Sequence, residues 1–453
     1  MRFTFQNRML SIVILSLYIS ITTALNLTAG DKDSVCEAAK YVVQGELNYY
    51  EGIKYGGTVG EFASPNYWWN AGEAFGGLLD YYTFCESDNK TLKSLIYEGM
   101  YHQAGESYNY IPSNQSMVEG NDDQGVWGLA VMEAVERNFT DPTEHSWLSM
   151  TQAIFNTMEA RWDTSHCGGG LRWQIFTWNS GYDYKNSIAN GCLFNIAARL
   201  ARYTRNESYA KVAEKVWDWM EDVGFMTSDG DELVLHDGAK IGDNCTDVTD
   251  KKWSYTYGIF IAGCAYMYNY TEDSVWLDRT HEIIEAANNY FFKNDIMYET
   301  TCMPDHCNND QRSFHSLFAR CLGITTVLAP DTVSLLQDKL EKSAEAAAQS
   351  CSGGSDGVTC GEDWTHSGWD GIYGLGEQMS ALEVMLATIV GDFTVYTKNN
   401  GGSSKSDPTA GTNTEDEVNK NVLNISTKDK AGAGVLTAVV LGIVLGGSAW
   451  MAI

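Results

Sequence analysis

Basic residues are scarce in this chain. Thirty Lys and Arg stand against 59 Asp and Glu in 453 residues, a formal net charge of -29. Nucleic-acid binding draws its affinity from clustered cations, so the shortage excludes nucleic acid and disfavours anionic partners generally. Proline is scarcer still, at 6, while 44% of the residues are hydrophobic. That composition supplies one large core or two ordinary ones and excludes disorder as the main state. No G-x-S-x-G, P-loop or dinucleotide fingerprint stands at a strand-to-helix junction, and no cofactor is expected. "SDGDE", Ser228 to Glu232, is acidic but lacks the ligand spacing of a calcium loop, and no metal is expected. A neutral, hydroxyl-rich ligand meets no charge penalty. Fourteen Trp and 25 Tyr supply flat faces for sugar rings, although large cores use them too.

What is present begins at the two ends. Arg2 and Arg8 precede a short apolar run, Met9 to Ile21, followed by Thr22, Thr23 and Ala24. This is the pattern of a secretory signal peptide, residues 1–24, cleaved after Ala24. At the other end, 431–453 carries no charge and is preceded by a polar, Gly/Ser/Thr-rich stretch, 397–430. Small residues, a polar spacer and a terminal apolar tail resemble a GPI attachment signal, with the tail removed and attachment near Asn424. A single tail-end membrane helix is the alternative. Eleven cysteines fit an oxidising compartment and leave at least one thiol unpaired. Cys302 with Cys307, and Cys351 with Cys360, are spaced as local bridges; "CMPDHC" also raises zinc, which a secreted chain makes the lesser reading. Sequons at Asn26, Asn89, Asn114, Asn138, Asn206, Asn244, Asn269 and Asn424 mark a glycosylated surface protein.

Between the ends, two styles of helical stretch alternate. Long stretches with one charged face, such as Glu207 to Val223, read as outer helices. Stretches that open on aromatic, polar and glycine residues and then turn apolar on most faces, such as "NSIANGCLFNIAARLARY", read as buried ones. Six of each, in strict order, predict an all-α fold: an (α/α)6 barrel, or toroid, of six inner and six outer helices in one domain, 25–396. All six inner helices then start at one rim, marked by polar and aromatic residues. Asn121, Gln124, Trp69, Trp127, Trp178, Tyr182, Asn186, Asn190 and Asp370 are its candidate ligand-binding residues, each with a plain packing or capping role as its alternative.

Asp122 and Asp123 are the adjacent carboxylates of that rim. Neighbouring Cα atoms lie about 3.8 Å apart, so carboxyl groups near 5 Å apart are reachable. Retaining glycosidases need roughly 5 to 5.5 Å, inverting ones roughly 6.5 to 9.5 Å, and adjacency leans to retention. Such closeness also drives the two pKa values apart. The alternative is that Asp122 caps the helix and Asp123 sits in its first turn.

"NDDQGVWGLAVMEA", "RWDTSHCGGGLRWQI", "GYDYKNSIANGCLFNIAARLARYT" and "GEQMSALEV" together resemble glycoside hydrolase family 76, in particular its fungal GPI-anchored cell-wall members, over essentially the whole chain. The resemblance implies an (α/α)6 fold and retaining catalysis with Asp122 as nucleophile and Asp123 as general acid/base. It further implies an endo-acting α-1,6-mannosidase needed for cell-wall synthesis, at the outer face of the plasma membrane through a GPI anchor or in the wall. Its partners would be α-mannoside glycans, either mannan or the GPI glycan. A transglycosylase passing the GPI glycan to a β-glucan acceptor, and a non-catalytic wall-organising glycan-binding protein, are the alternatives.

Overall fold

The two styles of helical stretch are realised as two concentric rings. The structure is a computed structural model that describes residues 24–230, 232–412 and 427–451. The signal segment up to 23, the Asn424 sequon and the proposed attachment region around it lie outside those residues. The outer ring holds α1 (Lys32–Leu47), α3 (Lys90–His102), α5 (Trp147–Ala160), α7 (Glu207–Asp222), α9 (Ser274–Tyr290) and α11 (Val333–Ser350). Each alternates with an inner helix: α2 (Trp68–Cys85), α4 (Asn121–Glu136), α6 (Ser187–Thr204), α8 (Ser254–Thr271), α10 (Phe314–Leu328) and α12 (Leu375–Ala387).

Burial follows the pattern. Every residue of α6 from Ser187 to Tyr203 is buried, whereas α7 buries one face, including Val212, Val216, Trp217 and Met220. Inner helices pack on their neighbours in sequence, and α12 packs on α2 to close the ring. Small residues set that spacing: a Cβ added to Gly125 of α4 would meet the Cβ of Cys192 on α6 at 2.4 Å. Among the described residues, three two-stranded antiparallel ladders decorate the barrel: β1 (Tyr184–Asn186) with β4 (Gly238–Lys240), β2 (Met226–Asp229) with β3 (Glu232–Leu235), and β5 (Phe292–Lys293) with β6 (Ile296–Met297). The hairpin of β2 and β3 accounts for the acidic "SDGDE" stretch, of which Asp231 lies outside the described residues.

Connections at the two ends differ. Inner helices return to outer ones through short turns, such as Arg205–Asn206 between α6 and α7. The loops leading into the inner helices are long, as in 161–186 and 223–253, and they build one mouth. Cys36–Cys85 ties α1 to the end of α2, and Cys167–Cys245 ties two mouth loops. Cys302–Cys307 and Cys351–Cys360 are the two local bridges expected from spacing. Cys192, Cys264 and Cys321 are buried thiols. Of the described sequon asparagines, Asn26, Asn89, Asn114, Asn206, Asn244 and Asn269 are exposed and Asn138 is half-buried.

Two features depart from the sequence reading. Residues 397–412, expected as the start of a solvated linker, lie along α5. Gln152 bonds Ser406 (3.0 Å) and the amide of Asp407 (2.7 Å), and Asn156 donates to the carbonyls of Pro408 and Ala410 (3.0 and 2.8 Å). Polar composition says that a segment needs hydrogen bonds, not that water must make them. The second is a buried ionic cluster among the inner helices. Arg137 pairs with Asp80 and Glu133 (2.7 and 2.9 Å), and Arg199 with Glu133 and Glu136 (2.8 and 2.7 Å). Tyr266 donates to Glu136 (2.8 Å), and Arg320 pairs with Glu383. Beyond the body, α13 (Thr427–Met451) forms the tail. Among the described residues, no helix is long and apolar enough to cross a membrane.

Candidate active site

The mouth opens into a cleft of about 550 Å³ between the first turns of five inner helices. Trp68 and Trp69 come from α2, Asp122 and Asp123 from α4, Asn186 and Ile188 from the start of α6, Trp253 and Tyr255 from the N-cap and first turn of α8, Phe314 from α10 and Gln311 from the short turn that leads into it. Loop residues complete the walls, chiefly Trp173, Asp237 and Asp310.

Helix α4 begins two residues earlier than the capping alternative supposed. Gly120 is the N-cap, and both aspartates fall in the first turn. Asp123 accepts the Gly120 amide, satisfying a donor that the helix start leaves free. Asp122 Oδ1 accepts the Asp123 amide (3.1 Å), and its Oδ2 accepts from Asn186 Nδ2 (3.3 Å). Asn186 also caps α6 through the amide of Ala189, so one side chain ties a helix start to the carboxylate.

Gly120 measures how closely the pair converges. A Cβ built on it would lie 2.3 Å from Asp122 Oδ1, 3.2 Å from Asp123 Oδ2 and 2.9 Å from the Trp173 carbonyl. Those two carboxylate oxygens are no farther apart than the two distances laid end to end. That span stays at or within the roughly 5 to 5.5 Å of retaining glycosidases and below the roughly 6.5 Å needed to admit a water between the groups. Gly120→Ala should therefore displace both carboxylates. We expect kcat to fall by about 10²-fold, the effect of a 1 Å misplacement, with helix content unchanged by circular dichroism.

Burial differentiates the two charges. It pushes Asp122 up to about 7, opposed by hydrogen bonds from the Asp123 amide, Asn186 and the Trp173 indole. Burial and then the neighbouring Asp122 charge hold Asp123 well above the usual carboxylate range. The pair thus loses its first proton mainly from Asp122, leaving Asp123 protonated. A nucleophile must be ionised and an acid protonated, so kcat/KM is expected to rise with pH through about 7 and to fall again at higher pH. Asp123→Asn should abolish the falling limb in a pH–rate profile.

Three further carboxyl groups line the cleft. Burial raises Glu119 well above its ordinary value, with Asp123 adding to it, and neither Glu119 oxygen has a hydrogen-bond partner. Asp310 is raised by burial against a bond from the Trp69 indole, and its Oδ1 is unpaired. Asp237 is raised by burial although Tyr184 donates to it (2.8 Å). Among the described residues, no Lys, Arg or His lines the cleft.

Of the ligand-binding residues expected from sequence, Trp69 and Asn186 line this cleft and the other seven do not. Asn121 bonds the Arg172 carbonyl (2.9 Å) and Arg161 (2.7 Å). Gln124 bonds the Asn109 carbonyl (2.7 Å), Thr157 (2.9 Å) and Arg161. Both hold the loop walls to α4 rather than face ligand. Trp127 is fully buried, ringed by Trp68, Phe75 and Tyr110. Asn190 holds both backbone groups of Leu171. Trp178 stacks on Phe176 and donates to the Ser116 carbonyl, and Tyr182 lies under the Arg172 guanidinium. Asp370 accepts the amides of Glu362, Asp363 and Ile372 within its own loop. Asp310 escaped notice despite a usable signal: "NNDQR" leading into α10 echoes "GNDDQ" at the start of α4.

Residues 34–400 match the family described as glycosyl hydrolase family 76. The chain belongs to that family. It is a glycoside hydrolase. It is 68% identical to mannan endo-1,6-alpha-mannosidase DFG5 of Candida albicans over 98% of each chain, and 53% identical to the Saccharomyces cerevisiae protein of the same name over 96% of this chain and 95% of that one. Among solved structures, Dfg5 from Chaetomium thermophilum in complex with glucosamine superposes with a TM-score of 0.82 at 34% identity. It covers 87% of this chain and 99% of its own. The GH76A alpha-1,6-mannanase of a Salegentibacter species shares the fold, with a TM-score of 0.62 at 17% identity over 78% of this chain and 98% of its own.

Proposed function

We propose that this family 76 enzyme is a retaining, endo-acting α-1,6-mannosidase of the fungal cell surface that serves cell-wall synthesis. The observation that carries the reading is the convergence of Asp122 and Asp123 oxygens on Gly120 inside an aromatic-lined cleft. The names of its relatives supply the substrate class. Ionised Asp122 attacks the anomeric carbon while Asp123 gives its proton to the departing glycosidic oxygen, leaving a mannosyl-enzyme ester. Asp123, now ionised, takes the proton of an incoming hydroxyl, whose oxygen displaces Asp122. With α-1,6-mannotriose and the full enzyme, proton NMR should show the α-anomer formed first. A β-anomer formed first would overturn retention.

The finer reading concerns the glycan and the acceptor. Among the described residues the cleft has five carboxyl groups and no cation, which suits a mannoside that carries an amino sugar, as the GPI glycan does, and the Chaetomium relative was crystallised with glucosamine. Under this reading the acceptor is a hydroxyl of β-glucan and the reaction is transfer. Incubation with a GPI-glycan donor and laminari-oligosaccharides should yield a longer product by mass spectrometry; finding free reducing ends alone would leave hydrolysis as the activity. Secretion, attachment by a GPI anchor near Asn424 and residence at the outer membrane face or in the wall follow from the two terminal segments.

A further inference from the structure

Apolar exposure on the body is one-sided. Among residues 24–412, ten large hydrophobic side chains are exposed. Tyr41, Val275 and Val333 are scattered over outer helices, and the other seven sit on loops that build the mouth. Tyr67, Met117, Val118 and Trp173 border the cleft, so sugar contact accounts for them. Ile53 (64% exposed), Tyr55 (fully exposed) and Tyr373 (59%) do not line it, and no bound sugar in the cleft would cover them. They stand on the loops before α2 and α12, neighbouring helices in the ring.

The C-terminal strap points the same way. It meets α5 first at Ser146, at the closed end, and then at Gln152 and Asn156, climbing towards the mouth. From residue 412 to an attachment near Asn424 the chain spans at most roughly 40 Å, a length that reaches either end of the barrel, so the exposed apolar side chains of the body decide which end is held down.

We propose that the mouth face rests on a lipid bilayer surface, with Ile53, Tyr55 and Tyr373 in the headgroup region and the cleft opening towards the membrane. Tyr and aliphatic side chains suit that interface. The net charge of -29 gives no attraction to anionic lipid, leaving apolar insertion as the available mode. Seated this way, the cleft meets glycans that are themselves attached to lipid. The inference rests on the membrane attachment proposed above.

Single cysteines at Tyr55→Cys, Tyr373→Cys and, as the closed-end control, Val333→Cys, each carrying an environment-sensitive fluorophore, test it in the full anchored protein on phosphatidylcholine vesicles. Labels at 55 and 373 should shift to the blue and be quenched by brominated lipid, and the label at 333 should do neither. Co-flotation with vesicles but no shift at 55 or 373, or a shift at 333 alone, would overturn the proposal. Failure to co-float would sink membrane attachment itself. Protection of 55 without lipid, with dimers in sedimentation, would assign the face to a second copy instead. The paired change Ile53→Asp with Tyr55→Asp should leave turnover of soluble α-1,6-mannotriose unchanged and lower turnover of a vesicle-borne mannolipid by about tenfold or more. Equal turnover on both would count against it.

Discussion

Asp122→Asn is expected to abolish turnover, by about 10⁴- to 10⁶-fold, because in the proposed mechanism it removes the group that forms the covalent intermediate. Asp123→Asn should cost about 10²- to 10⁴-fold on α-1,6-mannosides, the usual worth of a general acid. The two are separable with an aryl mannoside whose leaving group needs no proton: Asp123→Asn should recover its first step, seen as a burst of released phenol, and Asp122→Asn should not. Equal losses on both substrates would put the assignment of nucleophile and acid in doubt.

The same substitution should stabilise the fold. Asp122 has an ordinary value of 3.8 and is pushed up to about 7 when folded. Between those values the folded protein holds a proton that the unfolded chain has released, so stability drains away as pH rises and the penalty is complete above about 7. The Tm of Asp122→Asn should match the parent near pH 4 and exceed it by a few degrees at pH 8. A loss of activity with a lowered Tm would instead mean a damaged fold.

The largest loss of stability is expected from Arg199→Met. That guanidinium bonds Glu133 and Glu136, both buried, and without it Glu136 keeps only Tyr266. Breaking a buried pair from one side costs about 3 to 5 kcal/mol, because a charge is left without compensation. For a domain of this size a thermal scan should show Tm falling by roughly 4 to 6 °C. Adding Glu136→Gln should restore most of it, since the stranded charge goes too. An unchanged Tm for Arg199→Met would show that water reaches the cluster.

These cases mark what the sequence displayed and what it hid. Helical periodicity is local: α7 announces its one buried face, α6 its lack of a wet one, and their alternation was enough to count a closed barrel. Asp122 and Asp123 are neighbours in the chain, so their convergence was legible as well. Arg199 and Glu136 are not, and a charge inside an apolar stretch looks like an interruption until its partner arrives from another helix. The cleft walls failed for the same reason, since Asp237 and Asp310 belong to loops whose path no periodicity describes. Asn121 and Gln124 misled in the opposite direction. Polar residues beside Asp122 and Asp123 look outward-facing in sequence, yet Arg161 consumes both from behind. Composition misread 397–412 because α5 offers it amide groups where water was assumed.

The closure of α12 onto α2 has one more consequence. An open stack of helix pairs can lose a terminal pair and stay folded, but a closed circuit has no terminal pair to lose. Deleting any pair exposes two unmatched inner faces at once, so melting is expected to proceed as a single event. Variation then has somewhere safe to go only in the long loops at the mouth, where new walls can be tried around the aspartate pair without reopening the circle beneath it.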